Sequence, residues 1–126
     1  MRKWLMAVAI MMMVFTPAMA IDFTQPITNL DGSEIKDADG KPVVSTLGRV
    51  AEQALLAVYA DERDQSGKET ITPEEKFKRW KLASKVQGKD VNLSIEELAL
   101  LKKLIGKAFP PLIVGQAWKL LDPGVK

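Results

Sequence analysis

The chain has 126 residues, with 18 Lys and Arg against 16 Asp and Glu, and it contains neither histidine nor cysteine. That composition excludes Ser-His-Asp and Cys-His nucleophiles, thiolate or imidazole zinc sites, His-ligated haem and any disulfide framework. All six methionines lie within the first nineteen positions, so the chain divides into a short leading piece and one small domain.

Residues 1–20 read as a secretory signal peptide. Arg2 and Lys3 form a basic start, Trp4 to Phe15 an apolar run, Pro17 a breaker, and Ala18 and Ala20 fit the small-residue cleavage rule. The run is shorter than the ~20 residues a spanning helix needs, so membrane contact is expected only for transit of the leader. The expected location is then periplasmic or secreted. The alternative is a cytoplasmic protein initiated at Met19. Without Arg2 and Lys3 the remaining chain holds 16 basic and 16 acidic residues, and a neutral domain carries no general attraction for nucleic acid.

Residues 21–44 are polar and punctuated by Pro26, Asp31-Gly32, Asp39-Gly40 and Pro42. Asp-Gly pairs tolerate the positive φ of tight turns, so this segment reads as a hairpin or a pair of turns. A calcium loop starting at Asp37 fails, because its fifth and twelfth positions are Lys41 and Gly48 rather than oxygen ligands.

Residues 45–126 read as a helical domain. Leu47, Val50, Ala51, Ala54, Leu55, Val58 and Tyr59 trace one apolar helix face after a cap at Ser45 or Thr46. A charged loop, Asp61 to Thr70, follows. The second helix opens on Thr72 and Pro73, has a capping-box pattern in Thr72 and Glu75, and runs through Phe77, Trp80, Ala83 and Val86 to Gly88. The third follows Ser94, paired with Glu97 in a second capping box, and carries Ile95, Leu98, Leu101, Leu104, Ile105 and Ala108. Phe109-Pro110-Pro111 ends it, and a last helix from Pro111 stops before Asp122. The fold class is therefore mainly α: a small four-helix domain behind an N-terminal polar hairpin or turn segment. The expected core comprises Leu55, Phe77, Trp80, Leu98, Leu101, Ile105, Ile113 and Trp118. Gly106 and Gly115, inside helical patterns, suggest close approach between helices.

Two stretches are candidate binding surfaces. Phe109, Pro110, Pro111, Leu112, Ile113 and Trp118 form the most apolar part of the domain and could meet a partner protein. Lys76, Lys78, Arg79, Lys81 and Lys85 flank Phe77 and Trp80 on the second helix, where lysines could neutralise phosphates and an aromatic could stack on a base. Helical spacing favours the plainer arrangement, aromatics inward and basic groups solvated. Glu74-Glu75 and Glu96-Glu97 are explained by helix dipoles, and no phosphate-cradling or nucleophile-elbow motif occurs. No catalytic residue, cofactor or metal ligand is therefore expected.

The chain resembles small uncharacterised proteins encoded by tailed bacteriophages and prophages over residues 21–122. The resemblance is carried by Ser45-Thr46-Leu47-Gly48-Arg49-Val50, Ala54-Leu55-Leu56-Ala57, Glu74-Glu75-Lys76-Phe77-Lys78-Arg79, Leu82-Ala83 and the run from Leu101 to Gln116. It implies a helical accessory protein acting through protein contacts, loosely similar to tail-assembly chaperones, and it raises the weight of a start at Met19. The expected function is thus a small non-enzymatic protein that binds another protein. The alternatives are a nucleic-acid-binding accessory factor or a periplasmic inhibitor-type protein.

Overall fold

The computed structural model describes residues 20–43 and 46–122. Most of the leader reading, Met1 to Met19, and the capping reading of Ser45 fall outside the described residues. The architecture is mainly α, with α1 at Leu47–Leu56, a short 3-10 turn at Ala60–Glu62, α2 at Pro73–Lys85, α3 at Ile95–Ala108 and α4 at Pro111–Leu121. α1 is the central helix. It packs on α2 and α3 and touches α4, and α4 closes against α3.

Each helix start follows from a local signal. Thr46 accepts from the Arg49 N–H at 3.2 Å, Thr72 from Glu75 at 3.1 Å, and Ser94 from Glu97 at 3.1 Å. At Ser94 the capping box is complete, since the Glu97 carboxylate accepts from the Ser94 N–H at 2.9 Å. At Thr72 only half of it forms, because the Glu75 side chain turns along the helix to Arg79 at 3.4 Å.

The segment after residue 20 is not only a polar hairpin. Ile21 pairs with Val91 as an antiparallel bridge, and Phe23 N–H donates to the Gly88 carbonyl at 2.9 Å. The carbonyls of Gln25 and Phe23 accept from Leu47 and Gly48, each at 2.8 Å. These are orphan donors of the first turn of α1, so the N-terminal segment acts as a backbone cap for the central helix. Ile21, Phe23 and Ile27 are buried in the same core as Leu101, Leu104 and Ile105. Gly48 sits at this crossing, where an added Cβ would lie 3.0 Å from the Phe23 carbonyl oxygen and 3.2 Å from that of Val86. The expected close approach is therefore at Gly48, and not at Gly106 or Gly115. A Cβ on Gly106 would make ordinary contact with Trp118 at 3.6 Å, and one on Gly115 would meet nothing within 4 Å.

The rest of the polar segment forms two tight turns, bridged at Thr28–Glu34 and Lys36–Pro42, with Gly32 and Gly40 at positive φ. A third turn of the same build closes Arg63 on Glu69 around Gly67. In all three the glycine supplies the left-handed residue of a short hairpin loop. Gln116 fixes the first turn to α4: its amide donates to the Thr28 carbonyl, and its Oε1 accepts from Thr28 N–H at 3.0 Å.

α1 stops at Leu56, before the expected Val58 and Tyr59. Tyr59 instead lies outside the helix and buries its ring, and its hydroxyl donates to the Ala54 carbonyl at 2.5 Å. That carbonyl belongs to the last turn of α1, where no intrahelical donor remains, so the hydroxyl closes the helix end. Burial pushes the Tyr59 hydroxyl above its ordinary pKa and keeps it a neutral donor. α2 ends at Lys85 rather than Gly88, with Val86 buried just beyond it.

Candidate functional site at the outer face of α2

The inward face of α2 is formed by Arg79, Leu82 and Ala83, with Val86 one turn on, all buried. The expected stripe of Phe77, Trp80, Ala83 and Val86 thus has the wrong register at its start. Phe77 is 58% and Trp80 55% exposed, which removes both from the core. An arginine occupies the buried position because a carboxylate awaits it. Glu62, on the 3-10 turn, accepts two parallel bonds from the Arg79 guanidinium, at 2.8 and 2.5 Å. This fork geometry suits guanidinium and carboxylate. The side chains are only 7% and 13% exposed, so the pair is largely desolvated and each charge depends on the other. Hydrogen bonds from Arg79 hold the Glu62 carboxyl below the usual carboxylate range, and those same bonds push the guanidinium pKa higher still. Lys107 completes the cluster at 3.8 Å from Glu62 and 3.0 Å from Asp61.

With Arg79 turned inward, the aromatic residues face out. Phe77 and Trp80 stack on one another with ring centroids 5.8 Å apart and planes at 21°. Lys81 lies over the Phe77 ring at 5.7 Å. On one side Trp80 borders a groove shared with Leu56, Glu52 and Ala83, and Leu56 is itself half exposed. On the other side Phe77 borders a groove with Lys78, Lys81, Leu82 and Lys85, closed at its far wall by Glu97 from α3. The outer face of α2 is therefore an aromatic plate between two shallow grooves.

Of the five basic residues proposed for nucleic acid, Arg79 is buried in its ion pair and does not reach the surface. Lys76 pairs with Glu69, and Lys85 pairs with Glu97 at 3.0 Å. Among the described residues Lys78 and Lys81 make no ion pair, and they alone of the five stand beside the aromatic plate without a carboxylate within salt-bridge distance. The basic run is thus mostly neutralised within the fold.

The C-terminal apolar stretch is largely spent on packing. Ile113 is buried, Phe109 and Leu112 are half-buried, and Pro110 and Pro111 are exposed where they open α4. Trp118 is no core residue at 40% exposure. Its indole N–H donates to the Lys102 carbonyl at 3.1 Å, and the Lys102 ammonium lies 4.8 Å from the ring centroid. It therefore clips α4 to α3. Ile95 stands clear of the core at 89% exposure, Leu98 is half-buried, and Leu55, Leu101 and Ile105 occupy the core as expected.

Among the described residues no group of three or more acidic side chains is placed to hold a metal ion, and no helix is long and apolar enough to cross a membrane. No family model, curated protein or solved structure matches the chain.

Proposed function

We propose that this is a small non-enzymatic protein that works by binding another protein, and that the contact surface is the outer face of α2 with Leu56. The observation that carries the reading is the stacked Phe77–Trp80 pair, more than half exposed on a helix whose inward positions are otherwise filled. Large aromatics are the residues most often found at the energetic centres of protein interfaces. The contact surface thereby moves away from the C-terminal stretch, where Ile113 is buried, Phe109 and Leu112 are half-buried and Trp118 is hydrogen-bonded to α3. This reading agrees with the accessory role that the resemblance to phage and prophage proteins implies.

The nucleic-acid reading loses support from Arg79, Lys76 and Lys85, whose charges are answered within the chain. Export through the leader belongs to the same proposal. Native protein starting at Ile21 in the periplasm would support it, whereas cytoplasmic protein starting at Met19 or Ala20 would support the alternative.

The contact reading is tested by placing a photo-crosslinking amino acid at position 77, 80, 30 or 118 in the producing cell. The expected result is one discrete protein adduct from positions 77 and 80 and none from position 30, although Leu30 is 93% exposed. Adducts from position 118 but not from 77 or 80 would return the surface to the C-terminal stretch. Capture of nucleic acid at 77 and 80 would replace the reading altogether.

A further inference from the structure

The groove on the Phe77 side of the aromatic plate measures about 410 Å³, and its apolar lining is Phe77 and Leu82. The rest of the lining is charged: three lysines, Lys78, Lys81 and Lys85, against two glutamates, Glu74 and Glu97. Both glutamates are already answered. The two Glu97 oxygens accept from Lys85 at 3.0 and 3.3 Å, and one of them also accepts from the Ser94 N–H at 2.9 Å. Glu74 stands in the first turn of α2, where the positive end of the helix favours it. Assigning Glu74 to Lys78, one turn on, still leaves Lys81 over. The residues one turn from Lys81 on α2 are Phe77, Lys78, Ser84 and Lys85, none of them acidic. Among the described residues Lys81 makes no ion pair. Its ammonium lies over the Phe77 ring at 5.7 Å, a contact that uses none of its hydrogen-bond donors.

We propose, resting on the protein-contact reading of this face, that the partner docks here with an acidic amphipathic segment: a large apolar side chain covers Phe77 and Trp80, and a carboxylate one helical turn away reaches Lys81, with Lys78 beside it. The spacing follows from α2 itself, since Phe77 and Lys81 are one turn apart and their Cβ atoms therefore about 5 to 6 Å. The exposed rings supply the apolar area that docking removes from water. Lys81 supplies the selection, because covering an unanswered ammonium with a neutral or basic surface strips its water without compensation. A second copy of the chain brings the same excess lysine to the interface and doubles the charge where it should cancel it. A nucleic acid would lay a row of phosphates along a groove that contains Glu74 and Glu97, with one lysine left to meet them. One excess cation beside two rings matches one carboxylate beside one apolar anchor.

The test uses the photo-crosslinking amino acid at position 77 in the producing cell, in three forms of the full chain: otherwise unaltered, with Lys78→Arg and Lys81→Arg, and with Lys78→Glu and Lys81→Glu. Both lysines are exposed, so the substitutions leave the core untouched. The unaltered and arginine forms should give the same discrete protein adduct, and its yield should fall at least ~10-fold in the glutamate form. Mass spectrometry of the adduct should place an Asp or Glu of the partner within one helical turn of the crosslinked residue. Replacing that carboxylate by lysine should restore the adduct in the glutamate form, a rescue that an unfolded variant could not show. Equal yield from all three forms would leave the protein contact standing and overturn the acidic partner, whereas no protein adduct from the unaltered chain would overturn both. Loss without rescue, an adduct to a second copy of the chain, or an adduct to nucleic acid would also overturn the proposal.

Discussion

α2 and α3 are neighbours of similar length with opposite economies. α3 buries Leu101, Leu104 and Ile105 and keeps its charged side chains out of the core, as an amphipathic helix should. α2 buries an arginine, and its two largest apolar side chains face water. α3 is held by area removed from water, whereas α2 is held by Leu82 and Ala83 together with a desolvated ion pair to a turn seventeen residues earlier. α2 keeps its aromatics outside although position 79 faces the interior. A helix arranged for stability alone would do the reverse.

The contrast can be broken most sharply in α3. Leu101→Ala should cost about 3 to 4 kcal/mol in urea denaturation, since a fully buried leucine leaves both a cavity and lost transfer energy. The ion pair of α2 comes next. Arg79→Met alone should cost about 3 kcal/mol because it strands the Glu62 carboxylate, while Arg79→Met with Glu62→Leu should recover most of that loss. A full loss in the double variant would mean that α2 depends on the charge itself. Gly48→Ala should cost about 1 to 3 kcal/mol, because the new methyl meets two backbone carbonyls that cannot move aside as a side chain would.

The pH dependence of the pair has a definite sign. The folded-state pKa of Glu62 is depressed, so its contribution to stability is complete above the unfolded carboxyl value of about 4.3 and fades as pH falls through the lower folded value. The stability gap between the wild type and Glu62→Gln should be widest near neutral pH and close progressively in acid. A gap that stays constant down to about pH 3 would show that Glu62 is protonated or unpaired in the folded protein. The smallest effect belongs to the surface: Lys85→Ala should change stability by no more than about 0.5 kcal/mol, since its partner Glu97 is already held by the Ser94 cap.

Much of the fold was legible because its signals are local. Thr46 as a cap, Thr72 and Ser94 with the glutamates three residues on, Pro73 and Pro111 at helix starts, and the Asp-Gly turns each act within four residues. The mainly α class, the four helices and the core positions Leu55, Leu101 and Ile105 follow from these and from helical spacing. What escaped depends on partners distant in sequence. The inward stripe at 79, 82, 83 and 86 has good helical spacing, but an arginine at its head makes it look solvated. The apolar alternative at 77, 80, 83 and 86 draws the eye to the wrong register. Only Glu62 resolves the choice, and nothing in α2 points to it. Tyr59 misled in the same way, because its spacing continues α1 while its hydroxyl ends it. Phe23 and Ile27 lie in a segment whose polar composition hides that its backbone caps the central helix. The candidate surface is half visible in the sequence: the Phe77–Trp80 cluster stands out with its lysines, but helical spacing alone places its aromatics inward.

The register of α2 underlies the proposed contact surface, and one paired measurement addresses it directly: the urea stabilities of Leu82→Ala and Trp80→Ala. Leu82 is buried and Trp80 more than half exposed, so the first should lose about 3 kcal/mol and the second less than about 1 kcal/mol. A larger loss at Trp80 than at Leu82 would put the aromatic in the core and contradict the account.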